Sequence, residues 1–151
     1  MTQISGGDDE AGAALAVLRA MVAIADSTVA HTTEQLTLTQ FRVLRVVAER
    51  TPVTMGKVAE ELAANPSTVT RACDRLAALE LLQKAQNPLN RRETLLAPTA
   101  KGRQLVDRVD HERRRVLTGV LDRLDGDVRA EVLTAFARFA DAASPTFARG
   151  K

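Results

Sequence analysis

The stretch Pro66-Ser-Thr-Val-Thr-Arg-Ala-Cys-Asp-Arg-Leu76 divides into an apolar and a polar helical face. Its apolar side chains recur at i, i+3, i+4 and i+7, the spacing of a helix with one buried stripe. These side chains are Val69, Ala72, Cys73 and Leu76. Asn65 is a favourable N-cap and Pro66 a favourable first-turn residue, so the sequence predicts that a helix begins here.

The opposite face of this helix carries side chains that suit contact with DNA. Short hydroxyls can reach base edges, an arginine can bind guanine through two hydrogen bonds, and a helix N-terminus attracts phosphate. The predicted contact residues on this face are Ser67, Thr68, Thr70, Arg71 and Arg75. The alternative interpretation is a solvated amphipathic helix, which any small helical protein can contain. The flanking sequence distinguishes between these two interpretations.

The flanking sequence predicts a winged helix-turn-helix. Thr54 can cap a short helix that ends near Leu62, and residues 63–65 form a tight turn into the next helix. Residues 83–86 and 93–97 are predicted strands joined by a Pro- and Asn-rich turn, and Pro52-Val53 could add a short third strand. The predicted contacts in this wing are Lys84, Asn90, Arg91 and Arg92. The fold class is therefore mainly α with a small β wing.

The remaining segments are predicted to form helices around this lobe. Thr37 and Gln40 make a capping box, and Thr99 caps a long helix that is expected to end near Leu124. A turn at residues 125–127 leads to a last helix, which is expected to pack antiparallel to the long one. We predict one domain over residues 11–144, comprising a winged-helix lobe at about 36–104 and dimerisation helices at about 11–31 and 105–144. Residues 1–10 and 145–151 are predicted tails, the first of them disordered.

The first and last helices have apolar stripes that one small lobe would leave uncovered. The stripe residues predicted to form a dimer interface are Leu15, Leu18, Val22, Val128, Val132, Phe136 and Phe139. A two-fold dimer would cover both stripes. It would also present two recognition helices about one turn of DNA apart, which is the arrangement that reads a pseudo-palindromic operator.

The chain resembles the MarR (multiple antibiotic resistance regulator) family of transcription regulators over roughly residues 11–143. The resemblance is carried by residues 36–44, 66–71, 74–76 and 90–92, and by Leu96, Thr99 and Gly102. Three positions depart from the family pattern. Asn90 stands where the family usually has Asp, Glu80 where it has Gly, and Pro98 where it has Leu. Asn90 cannot form an ion pair, and Glu80 could shift the end of the recognition helix.

The resemblance implies a homodimer that binds double-stranded DNA, most often as a repressor, and is released by a small aromatic or phenolic effector. The lack of a long apolar run and of a signal-peptide pattern predicts a cytoplasmic protein. The sequence identifies no effector-binding residues. Two alternatives stay open: an architectural or protein-interaction winged-helix module without operator specificity, and a regulator that senses oxidants through Cys73. Against the second, Cys73 lies on the apolar stripe, where a thiol is usually a small hydrophobe.

Composition and charge agree with one DNA-binding domain. The 151 residues are 45% hydrophobic, and the net charge is +2. Residues 39–103 contain 11 Lys/Arg and 6 Asp/Glu, a balance of +5, whereas the rest of the chain has −3. A single Cys fits a reducing compartment, and no uninterrupted apolar run approaches about 18 residues, so we expect no membrane span.

Catalytic and metal-binding motifs are lacking in the sequence. His31 and His111 have no ligand partners at metal-site spacing, and we expect neither a metal nor a cofactor. A phosphate-cradling glycine loop and a nucleophile elbow are also missing, so an enzyme is disfavoured.

Overall fold

The structure, a computed structural model, describes residues 5–148, which form six helices and a three-stranded sheet. The elements are α1 (Ser5–Thr32), α2 (Leu38–Arg50), β1 (Val53–Thr54), α3 (Met55–Glu61), α4 (Pro66–Ala78), β2 (Leu82–Gln86), β3 (Thr94–Pro98), α5 (Ala100–Leu121) and α6 (Gly126–Ala148). The predicted fold class, mainly α with a small β wing, is confirmed.

Side-chain caps fix the starts of four helices, as the sequence predicted. Thr37 Oγ1 accepts from the Gln40 N–H at 3.2 Å while Gln40 Oε1 accepts from the Thr37 N–H at 3.0 Å, which completes the capping box of α2. The N-cap side chains of α3, α4 and α5 likewise accept backbone N–H groups. These three caps are Thr54, Asn65 and Thr99.

The sheet is antiparallel with the order β1-β3-β2, so β3 is its central strand. In the register, Leu96 of β3 lies opposite Val53 on one side and Lys84 on the other. Leu96 is fully buried, because it joins a core built mainly from α2, α4 and α5. The largest fully buried side chains are Phe41, Leu44, Leu76 and Leu96.

The buried core lies between Thr28 and Val109 in the described part of the chain, so most of α1 and the described side chains of α6 lie outside it. α5 packs on α1 and α2, but α6 makes no extensive packing contact with any other described element. The predicted antiparallel pairing of the last two helices is therefore wrong. A short connection brings two helix ends together, but it does not force their axes to align.

Both predicted tails are partly helical, which corrects the predicted boundaries. α1 begins at Ser5 rather than near residue 11, although Gly6 and Gly7 have low helix propensity. α6 continues to Ala148, beyond the predicted end near residue 144. The rest of the predicted tails, residues 1–4 and 149–151, lies outside the described residues.

α1 is more apolar than the lengths of its uninterrupted apolar runs predict. Its segment Ala11–Thr32 is 22 residues long and strongly apolar, and little of it is buried. By length and composition alone, this is one helix that could cross a membrane. Arg19 and Asp26 interrupt this apolar segment, so the sequence contains no uninterrupted apolar run of the same length.

Candidate nucleic-acid interface

α4 presents the two faces that its sequence predicted. The four stripe side chains are buried in the core. Ser67, Thr70, Arg71 and Arg75 are exposed, and Thr68 is half-buried. The five predicted contact residues therefore lie on the accessible surface of the recognition helix, within about two and a half turns.

Short local hydrogen bonds hold the first turns of this surface in place. Asn65 Oδ1 accepts from both the backbone N–H and the hydroxyl of Ser67, at 2.9 and 2.8 Å. Thr70 Oγ1 donates to the Pro66 carbonyl at 2.9 Å, and Arg71 Nε donates to the Ser67 carbonyl at 3.3 Å. The two terminal nitrogens of Arg71 make no hydrogen bond within the described residues, so they can bind a base or a phosphate.

The C-terminal end of α4 uses a left-handed residue that is not glycine. Glu80 has φ 59°, the Leu81 N–H donates to the Leu76 carbonyl, and the Glu80 N–H donates to the Ala77 carbonyl, both at 2.9 Å. This is the Schellman pattern. Glu80 therefore keeps the hydrogen bonds of a glycine-ended helix, and the absence of glycine appears as strain in the backbone of Glu80.

The start of α5 is bound directly to this end of α4. Thr99 Oγ1 donates to the Glu80 carbonyl at 2.7 Å, and the Thr99 N–H donates to the Leu81 carbonyl at 3.1 Å. Gly102 approaches so closely that a Cβ there would lie 2.0 Å from the Leu81 carbonyl oxygen. The recognition helix and the long helix thus meet backbone to backbone.

The wing tip is ordered by its own amide side chains. Asn87 Nδ2 donates to Glu93 Oε2 at 2.9 Å, and Gln86 Nε2 donates to the Arg91 carbonyl at 3.0 Å. Asn90 Oδ1 accepts from the Arg92 N–H at 3.2 Å, so the amide at this position shapes the turn. Arg91 and Arg92 are exposed, and neither guanidinium makes an ion pair with another described residue.

Lys84 occupies a different position from the wing-tip arginines. Its ammonium forms an ion pair with Asp74 of α4, and its side chain is 29% exposed. The pair connects strand β2 to the recognition helix. The prediction that Lys84 contacts DNA stays a prediction, and this structure gives the residue a bridging position within the lobe.

The structure contains two further surface features that the sequence does not predict. A cleft of about 370 Å³ beside α4 is lined by Thr37, Thr39, Gln40, Thr68, Arg71 and Ala72, so the N-terminus of α2 adjoins the recognition helix. The capping box of Thr37 and Gln40 predicts where α2 begins, but it does not predict that this helix end lies beside α4.

The second feature is an open groove of about 790 Å³ between the end of α1 and the middle of α5, lined by His31, Thr32, Asp107, Arg108, Asp110, His111, Glu112 and Arg114.

This groove brings together two histidines that are 80 positions apart in the sequence, His31 and His111. No spacing rule could have paired them, because their proximity depends on the packing of α1 against α5. Within the described residues, no three His, Cys, Asp or Glu side chains are grouped as a metal site.

Cys73 is fully buried beneath the recognition surface. Burial raises the pKa of its thiol to about 11, so the thiol is neutral at physiological pH. A neutral buried thiol is a poor nucleophile.

The seven predicted dimer-interface residues lie outside the core of the lobe. On α1, Leu15, Leu18 and Val22 are 48–57% exposed. On α6, Phe139 is 71% exposed, Val128 and Phe136 are exposed to a lesser extent, and Val132 is half-buried. These apolar faces are uncovered in the single chain.

Comparison with known proteins agrees with this architecture. The chain is similar to the crystal structure of RV1404 from Mycobacterium tuberculosis, with 30% identity and a TM-score of 0.80, over 94% of this chain and 97% of that one. It is also similar to the PcaV transcriptional regulator from Streptomyces coelicolor in complex with its natural ligand, with 24% identity and a TM-score of 0.65, over 95% and 99% of the two chains.

A third similar structure is the multiple antibiotic-resistance repressor (MarR) from Listeria monocytogenes, with 17% identity and a TM-score of 0.72, over 95% and 98% of the two chains. No curated protein matches the chain in sequence. The family model for the MarR family matches residues 36–94, which include α2 to α4 and most of the wing. The chain therefore belongs to the MarR family of DNA-binding transcription regulators.

Proposed function

We propose that this chain is a homodimeric, cytoplasmic repressor that binds a pseudo-palindromic operator and is released by a small aromatic or phenolic ligand. The observation that carries the proposal is the combination of a cationic surface on α4 and the wing with helices whose apolar faces are uncovered. The first feature suits duplex DNA, and the second suits a second copy of the chain.

Dimerisation is supported by the positions of α1 and α6. Each carries several exposed apolar side chains, and α6 packs against nothing else extensively in the described chain. Burying these faces between two copies would remove them from water. The alternative for α1 is a membrane span, but Arg19 and Asp26 would then lie within the hydrocarbon region at considerable cost.

Base reading is assigned to the exposed side of α4, and groove contact to the wing. The terminal nitrogens of Arg71 make no hydrogen bond to any described residue, and Ser67, Thr68 and Thr70 are within the first two turns of the helix. Arg91 and Arg92 extend the positive surface to the wing tip. A redox switch at Cys73 is disfavoured because burial keeps the thiol protonated.

Ligand binding is proposed in the open groove between α1 and α5. Arg108, Arg114 and the two histidines can donate hydrogen bonds to a carboxylate or phenolate. Three carboxylates also line the groove, so the ligand must lie on the side of the arginines; these are Asp107, Asp110 and Glu112. PcaV, which shares the fold, was crystallised with its natural ligand. This supports a ligand for the present chain without identifying it.

The groove is connected to the reading surface through α5. Arg113 Nε donates to Thr28 Oγ1 at 3.2 Å, and its guanidinium carbon lies 4.9 Å from the centre of the Phe41 ring, so α5 is bound to both α1 and α2. The same helix begins at the end of α4 through Thr99. A ligand that shifts α5 would therefore change the separation of the two recognition helices in a dimer.

Selection of bound duplexes from a random pool, combined with sedimentation analysis, tests the DNA-binding and dimeric parts of the proposal. We expect a pseudo-palindrome and a dimer. Equal affinity for random and selected duplexes at matched salt would instead favour the architectural function.

The ligand is tested by calorimetric titration of phenolic carboxylates into free and operator-bound protein. A hundredfold release of operator requires about 2.7 kcal/mol of coupling, and operator must weaken ligand binding by the same factor. Arg108→Ala and Arg114→Ala should weaken ligand binding, whereas Arg138→Ala on α6, which does not line the groove, should not. Equal ligand affinity in both titrations would rule out that compound as an inducer.

A further inference from the structure

The tip of the wing carries an apolar side chain that no described residue covers. Leu89 is 94% exposed, the largest exposure among the large apolar side chains that the structure describes. Scattered surface leucines are common and need no special explanation. This one differs because the surrounding backbone is ordered around it and the adjacent side chains are cationic.

The backbone at the tip holds Leu89 in a defined position. Asn87 Oδ1 accepts from the Leu89 N–H at 3.0 Å, and the Asn90 N–H donates to the Asn87 carbonyl at 3.2 Å. Pro88 restricts the intervening backbone further. Leu89 therefore projects from a preorganised turn, and little conformational entropy is lost when the tip meets a partner.

The charges around Leu89 indicate what that partner is. Arg91 and Arg92 are exposed nearby along the chain, and the acidic residue of the tip, Glu93, is engaged by the Asn87 amide. An apolar side chain beside unpaired arginines suits the DNA minor groove, where negative potential attracts arginine and apolar side chains can contact sugars and bases.

We infer that Leu89 is an apolar minor-groove contact, which adds a contribution to operator affinity that does not depend on salt. The inference rests on the DNA binding assigned above, and it goes beyond it by giving a role to a residue without charge or hydrogen-bonding capacity. An apolar contact releases no counterions, so it should differ from an arginine contact in its salt dependence.

The test compares Leu89→Ala with Arg91→Ala on the selected operator duplex over a range of salt concentrations. Leu89→Ala should lower affinity by about tenfold at every salt concentration, because it removes buried carbon atoms without changing charge. Arg91→Ala should lower affinity and also flatten the slope of log K against log salt by about one per subunit. Leu89→Met, which keeps the apolar volume, should retain most of the affinity.

Netropsin, a small molecule that fills A·T-rich minor grooves, identifies the surface that Leu89 touches. With netropsin bound at the wing-proximal A·T base pairs of a duplex designed to contain them, wild type and Leu89→Ala should bind equally. A persistent tenfold difference under netropsin would place Leu89 elsewhere and overturn the inference.

Equal affinity of wild type and Leu89→Ala in the absence of netropsin would also overturn it, with DNA binding itself intact. Failure of the wild type to bind any duplex would overturn DNA binding and this inference together. Thermal unfolding of each variant verifies that the exposed substitution leaves the fold unchanged.

Discussion

Replacement of Gly102 by alanine is the most direct test of the junction between α4 and α5. The new Cβ would lie 2.0 Å from the Leu81 carbonyl oxygen and 3.0 Å from its carbonyl carbon, and it would also approach Leu44 Cδ1 at 3.3 Å. Ordinary contact begins at 3.4 Å, so the first turn of α5 must retreat from this carbonyl by about 1.4 Å, the difference from 2.0 Å. The obstacle is backbone, which cannot rotate away as a flexible side chain would.

The expected cost combines three effects. Overpacking of a close contact typically costs about 1–3 kcal/mol. The retreat also weakens the two hydrogen bonds from Thr99 to the carbonyls of Glu80 and Leu81, each worth about 1 kcal/mol net. The higher helix propensity of alanine offsets this cost by about 1 kcal/mol. We therefore expect Gly102→Ala to lower the free energy of unfolding by about 2–4 kcal/mol.

Urea unfolding followed by circular dichroism, at one fixed protein concentration, measures this change. Gly119→Ala is the matched control, because Gly119 lies in the same helix and its Cβ would meet nothing within 4 Å. That control should stabilise the protein by up to about 1 kcal/mol. If both variants were stabilised alike, the close approach of α5 to Leu81 would be refuted.

Four further outcomes are expected. Arg71→Ala should cost about 1–3 kcal/mol of binding free energy on the selected operator and much less on random duplex, and equal losses in a mobility-shift titration would limit Arg71 to phosphate contact. Glu80→Gly should raise the free energy of unfolding by about 0.5–1 kcal/mol, because glycine relieves the left-handed φ; a loss in urea titration would contradict this. Changing Phe136 and Phe139 together to serine should dissociate the proposed dimer in sedimentation, and a folded dimer would place the interface elsewhere. The Cys73 thiol should react slowly with a disulfide reagent at pH 8 unless urea is added. Because its folded pKa of about 11 exceeds the unfolded value of about 8.5, stability should also fall as pH rises through that interval, and Cys73→Ala should remove this part of the pH dependence.

Local signals determined most of the lobe. The capping box at Thr37 and Gln40 and the N-cap of Asn65 each depend on residues within one turn, so the sequence alone located these helix starts. The apolar stripe of α4 was also predictable from the sequence, because the 3.6-residue period of a helix determines which side chains share the buried face.

Long-range packing explains what the sequence left undetermined. The ion pair of Lys84 with Asp74 joins a strand to a helix, and the shared groove of His31 and His111 joins two helices; neither follows from spacing. The path of α6 also differs from the prediction, because the length of a connection limits how far two helix ends can separate but not the angle between their axes. The structure shows the exposure and the hydrogen-bond partners of the predicted site residues. The DNA contacts of these residues stay predictions.

The confinement of the core to Thr28 through Val109 also has a consequence for how long the protein persists in a cell. A chain before pairing would expose the apolar side chains of α1 and α6 to proteases and chaperones, because little within the chain protects those helices from local opening. In the proposed dimer, each copy would shield the other. Turnover would then be fastest when the protein is scarce, so the lifetime of the regulator would itself increase with its abundance.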